Sequence, residues 1–217
     1  MTRQKDGLLP RDVDYQANVN LLNAALRAGV GRFGYIHVLN ADKIEHVPLI
    51  AAKQAFVRHL RASQMPSTVV APSGYFSDME DMLRMADNGR IWLFGDGCSR
   101  LNPIHGADLA KVTREAIDAR RTWQDAGGPE VFSQNRLAQA AFSALHRPAR
   151  VTHLPDMLRR ATRRLLPLVT PESFYGPILF FLEAMGHDMV GPRLGTHHLV
   201  DHFATVAARS EVPHAQV

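Results

Sequence analysis

The chain has 217 residues, 46% hydrophobic and 21% charged, an ordinary globular mix that excludes a disordered or collagen-like polymer. Its single cysteine, Cys98, excludes an internal disulfide framework and a cysteine-built zinc site, and points to a reducing, cytoplasmic compartment. The net charge of +4 comes from 21 Arg and 4 Lys against 21 Asp and Glu; it is spread out and does not interleave with aromatics, so no nucleic-acid partner is expected.

The residues after Met1, Thr-Arg-Gln-Lys-Asp-Gly, lack the apolar core of a signal peptide, and no run of about 18 apolar residues predicts a membrane span. Residues 12–28 read as a helix stopped by Gly29. Arg32–Leu39 reads as a buried strand and Pro48–Ala62 as a helix with proline in its first turn. Thr68–Ala71 is a second strand, stopped by Pro72-Ser73-Gly74. Phe76–Ala86 is a helix ended by Asn88-Gly89, Ile91–Phe94 a third strand, and Asp108–Arg120 a helix. Ser133 suits the N-cap of a helix to Leu145. Val151–Leu154 is a short strand and Pro155–Leu166 a helix, basic on one side. From Thr170 the chain runs in apolar segments broken by Gly and Pro, then a helix near His197–Ala208. Strands alternating with helices predict an α/β protein, a doubly wound parallel sheet.

Residues 29–34, Gly-Val-Gly-Arg-Phe-Gly, spell GxGxxG. A dinucleotide fingerprint needs a strand before it and a helix N-terminus after it, so that free N–H groups meet the pyrophosphate. Here a helix precedes and a strand follows, so the reading is a helix C-cap glycine and a tight turn.

Five stretches carry a family resemblance: VDYQANVNLLNAA (13–25) with AGVGRFGYIHVLNA (28–41); Lys53 with Phe56-Val57; STVVAPSGYF (67–76); GDGCSRLNPIHGADLA (95–110); and GGPEV (127–131). In this order they resemble the C-terminal two-thirds of an atypical or extended short-chain dehydrogenase/reductase of the NmrA-like, NAD(P)H-binding kind. The resemblance implies a Rossmann-like fold, incomplete on its N-terminal side, over residues 1–155, with a mostly helical extension at 156–217. The family's glycine-rich phosphate turn and first four strands precede the matched stretch, so the chain is expected to be an N-terminally truncated form. Arg32–Leu39 would then be a sheet edge open to self-association or a protein partner. NAD(P) is the cofactor expected for the full-length form, with weak or absent binding by this chain.

The departures bear on chemistry. Catalytic members use Tyr-x-x-x-Lys, the Tyr moving the proton and the Lys lowering its pKa and holding the ribose. Lys53 matches the Lys, but Leu49 stands where the Tyr would be. Ile36-His37-Val38 offers no hydroxyl at the strand-end Ser position, and Asp14 replaces the helix Asn. Two readings stay open: an NAD(P)-binding, oxidoreductase-like protein, and a non-catalytic redox-sensing or complex-assembly module.

The candidate cofactor contacts are Lys53 and His37, with Pro72, Ser73, Gly74 and Tyr75 at a strand's carboxyl end, where ligands of open α/β sheets lie. His37 also reads as a hydrogen-bonded core residue. Asp108 reads as a structural carboxylate at a helix start. No metal is expected, although His198 and His202 have i, i+4 spacing. The apolar–arginine segment Met157–Leu166 suits an anionic membrane surface, but the stronger expectation is that its apolar side packs on its own domain.

Overall fold

The computed structural model describes residues 8–211. A π-helical stretch, Arg11–Ala17, runs into α1 (Asn18–Arg27). Residues 12–28 are thus helical as expected, but the first part is widened. Asn18 Nδ2 bonds the carbonyls of both Val13 and Asp14 at 3.1 Å, a side chain inserted into the backbone ladder. Gly29, at φ +66°, ends α1. Gly29 N bonds Leu26 O and Val30 N bonds Ala25 O, a Schellman-type close. The GxGxxG stretch is therefore a helix stop that leads into a strand.

β1 (Phe33–Ile36) is shorter than expected. It is followed by α2 (Pro48–Ala62), β2 (Ser67–Pro72), α3 (Phe76–Asp87), β3 (Ile91–Phe94), β4 (Arg100–Leu101), α4 (Gly106–Asp118) and β5 (Trp123–Ala126). β6 (Phe132–Ser133), α5 (Gln134–Ala144), β7 (Val151–Leu154), α6 (Asp156–Val169), α7 (Glu172–Ala184) and α8 (Leu199–Glu211) complete the chain. Ser133 is the N-cap of α5, its Oγ accepting from Arg136 N at 3.2 Å.

The main sheet is parallel, in the order β1-β2-β5. α1 and α2 cover one face through Val19, Leu22, Phe56, Val57 and Leu60 on Phe33, Tyr35 and Val69. α4 covers the other through Leu109 and Ala116 on Val70 and Ala126. This is the doubly wound α/β arrangement. Each fully buried Leu or Phe here stabilises the fold by about 1.5–3 kcal/mol relative to exposure. Among the described residues β1 is paired on one side only.

Ile91–Phe94 is a strand, but it does not join the main sheet. It pairs in parallel with β7, Ile91 opposite Val151. Its inward residues Ile91 and Leu93 face a second core built from α3, α5 and α8, including Phe142, Leu199 and Phe203. The third strand of the main sheet is instead β5, a segment without a strand pattern in its sequence. Trp-Gln-Asp-Ala has no apolar run, because it lies at the sheet's margin with Trp123 part-exposed. The helical pattern of α7 is obscured by Gly176 and Pro177.

Candidate functional site

The parallel strands β1, β2 and β5 deliver their carboxyl ends to one side. His37 N bonds Val70 O at 2.7 Å, Leu39 N bonds Pro72 O at 2.9 Å, and Ser73 N bonds Ala126 O at 2.9 Å. Residues 37–39 and 72–75 are thereby brought side by side. Lys53 reaches the same place from the second turn of α2. Its Nζ donates to Ile36 O at 3.3 Å and lies 3.5 Å from Asp14 Oδ1. It also stands 5.2 Å from the centre of the Tyr35 ring. Asp14 was noted in the sequence only as a departure from the family's Asn; the structure makes it the lysine's ionic partner.

Leu49, one turn before Lys53, is half-buried. It packs against the buried cluster of Ala41, Ile44, Val47, Ile50 and Leu179, to which Tyr175 and Phe180 of α7 also pack. This side chain offers no proton.

His37 is only 2% exposed. Its Nε2 lies 3.1 Å from Gln54 Oε1 and its ring stands edge-on to Trp123. Burial, reinforced by the nearby Lys53 and Arg61 cations and partly offset by the Gln54 bond, lowers its pKa to about 4, so the ring is neutral at pH 7. Its Nδ1 and the Tyr35 hydroxyl are buried without a hydrogen-bond partner. Burial also raises the Tyr35 phenol well above its ordinary value. His37 is thus buried under the carboxyl edge of the sheet rather than presented on its surface.

Of the four residues 72–75, which end β2 and follow it, Pro72 and Ser73 are buried and Gly74 and Tyr75 are half-buried. Ser73 Oγ donates to Asn102 O at 2.5 Å, which spends the hydroxyl on the scaffold. Gly74 has φ +150°, a conformation that favours glycine. Tyr75 caps α3, with its N–H directed to Asp78 Oδ2.

The GDGCSRLNPIHGADLA and GGPEV stretches form the clamp behind this rim. Asn102, fully buried, donates to Gly128 O and Gly191 O at 3.0 Å and accepts from Gly191 N at 2.9 Å. It was quoted within the motif but not singled out; an Asn-Pro pair in a polar turn was the available signal. Asp108 is structural, as expected, but its partner is distant in sequence. Its Oδ2 accepts from Thr196 N and His197 N at 3.0 Å, and its Oδ1 lies 2.9 Å from His197 Nδ1. Burial alone would raise its carboxyl; these bonds outweigh it and hold the pKa below the usual value. The helix N-cap is His105, which accepts from Ala107 N.

His198 and His202 diverge, to Glu130 at 3.1 Å and Glu80 at 2.9 Å. Among the described residues no group of three or more His, Cys, Asp or Glu is placed to hold a metal ion. Cys98 is exposed, and the neighbouring Asp96 charge raises its thiol pKa, the opposite of nucleophile activation. No helix of the described residues is long and apolar enough to cross a membrane.

No family model matches the chain. It is similar to the photosystem II assembly factor Ycf39 of Guillardia theta, 27% identical over 122 residues, which is 55% of this chain and 38% of that protein. The Ycf39 protein of Synechocystis is 23% identical over 167 residues, 74% of this chain and 51% of that protein. The chain thus spans about half or less of these relatives. Among solved structures, the NADPH-dependent quinone oxidoreductase QOR2 of Escherichia coli, complexed with NADPH, superposes with a TM-score of 0.64 at 16% identity, covering 86% of this chain and 69% of that one. The parallel β1-β2-β5 sheet between its helical layers and the likeness to this solved structure agree: in fold, the chain is Rossmann-like.

Proposed function

We propose that the chain contributes the nicotinamide side of an NAD(P) site, and that it binds nucleotide without turning it over. The observation that supports this most is the position of Lys53, held by Asp14 and Ile36 O at the carboxyl end of β1. Lys53 would meet the ribose, the Gly74–Tyr75 backbone the carboxamide side, and Pro72, Ser73 and His37 would shape the wall behind. The nucleotide-facing part would run to residue 155, with 156–217 as a helical extension.

Hydride transfer to a carbonyl needs a proton donor, and Leu49, packed in an apolar cluster, supplies none. That observation also favours a second reading, a non-catalytic assembly module, in keeping with the assembly-factor names of two relatives. In this reading the open side of β1 would take a protein partner or a second copy.

Among the described residues no glycine-rich turn leads from a strand into a helix N-terminus to hold the pyrophosphate. Each charge-assisted bond to it is worth roughly 1.5–3 kcal/mol. The 217-residue chain is therefore expected to bind NADPH with a Kd on the order of 1 mM or weaker. Fluorescence titration tests this; a micromolar isotherm, or reduction of a carbonyl panel above background, would contradict the reading.

A further inference from the structure

Helix α6 is amphipathic, but it faces the wrong way for a core helix. At about 100° per residue, Met157, Leu158, Leu165, Leu168 and Val169 share a stripe about 120° wide. All five are exposed, Met157 and Val169 at 77% and Leu168 at 76%. The polar side turns inward instead. Arg159 is buried, its Nε on Asp156 Oδ1 at 2.7 Å and its Nη1 on Leu182 O at 3.2 Å. Arg163 reaches Glu183, a fully buried carboxylate that His46 also approaches at 3.1 Å. These anchors to α7 fix the rotation of α6 and hold its apolar stripe in water. The expectation that the apolar side packs on its own domain is thus overturned, because the bonds of Arg159 to Leu182 O and of Arg163 to Glu183 orient the helix.

Phe174, at 53% exposure in the first turn of α7, extends the apolar surface around the tip of the α6–α7 hairpin. Arg160 and Arg164 lie along one side of the stripe, both exposed. The helix has one carboxylate, Asp156, and it is already shared by Arg159 and Arg160. On α6 the exposed charges beside the apolar ridge, Arg160 and Arg164, are both positive, while the hairpin tip adds one half-exposed carboxylate, Glu172.

A convex ridge needs no matching groove when its counterpart is fluid hydrocarbon, and arginines at its margin can extend to headgroups. A second copy would oppose like-charged rims. We propose that α6 and the hairpin tip lie on an anionic lipid surface, with the leucine stripe at the headgroup–acyl boundary and Arg160 and Arg164 on acidic headgroups.

Vesicle flotation with the 217-residue chain tests this. Vesicles of phosphatidylcholine alone are compared with vesicles in which about one-third of the lipid is phosphatidylglycerol. Binding to the acidic vesicles is expected to be at least about tenfold tighter. Leu165→Gln with Leu168→Gln should weaken it by about tenfold or more. Arg160→Gln with Arg164→Gln should remove the preference for acidic lipid. Leu21→Gln, an exposed leucine on α1, should change nothing. Circular dichroism and thermal melts confirm that each variant is folded. Absence of binding to acidic vesicles, or binding that the leucine pair does not weaken, overturns the proposal. So does a dimer in light scattering that the leucine variant dissolves, which would assign the ridge to a second copy.

Discussion

Asn102 and Gly191 exchange two hydrogen bonds, Nδ2 donating to the glycine carbonyl at 3.0 Å and Oδ1 accepting its N–H at 2.9 Å. A third bond, to Gly128 O, makes one buried amide the tie between the loop before α4, the turn after β5 and the segment before α8. Asn102→Ala leaves three backbone groups without partners, and each unsatisfied buried group costs about 1–3 kcal/mol. The variant is expected to lose about 3 kcal/mol or more. Urea unfolding checks this, through a lower midpoint at an unchanged slope.

Gly128 and Gly106 make a matched pair. A Cβ on Gly128 would fall 1.9 Å from Pro103 O, a backbone atom that cannot swing away, whereas one on Gly106, in the first turn of α4, meets nothing within 4 Å. Gly128→Ala is expected to destabilise by about 3 kcal/mol or more through forced backbone movement. Gly106→Ala should be neutral or stabilise by up to about 1 kcal/mol. Thermal melts of the two proteins side by side should separate them clearly.

His37 gives a pH signature. Its pKa is lowered from 6.5 to about 4 in the fold, so between those values the unfolded chain binds the extra proton. Its contribution is fully present above pH 6.5 and is lost as pH falls toward 4. The difference corresponds to about 3 kcal/mol. His37→Gln should flatten this part of the stability–pH curve; an unchanged acid slope in the variant would show that the ring is not held neutral.

Much of the fold was legible because local chemistry and tertiary structure agree. Pro48 at the start of α2, Ser133 at the N-cap of α5 and Gly29 after α1 mark ends that the structure keeps. The elements that were not legible owe their place to distant partners. β5 is a polar strand made by pairing with β2, and Ile91–Phe94 could not reveal that β7, rather than β2, would be its neighbour. The surroundings of the candidate site were legible in part. Lys53, expected from its spacing, stands at the carboxyl edge of β1. The pairing of Asp108 with residues 196 and 197, and the inward turn of the α6 arginines, depend on segments far away in sequence.

Leu49→Tyr tests whether the acid–base machinery can be restored by one residue. Leu49 packs against an apolar cluster that includes Leu179 of α7, so a phenol there is expected to sit against α7 instead of facing a ligand. With NADPH at millimolar concentration, carbonyl reduction should stay at background in a spectrophotometric assay. Activity in this variant would show that the cluster opens to the site.

Titration of NADPH into the isotopically labelled chain, followed by amide nuclear magnetic resonance, tests the central claim most directly. The account predicts fast-exchange shifts in the millimolar range, concentrated at residues 37–40, Lys53 and residues 74–75, and strongly reduced by Lys53→Met. Shifts confined to α8 or to the α6–α7 hairpin, or a spectrum unmoved by saturating nucleotide, would contradict it.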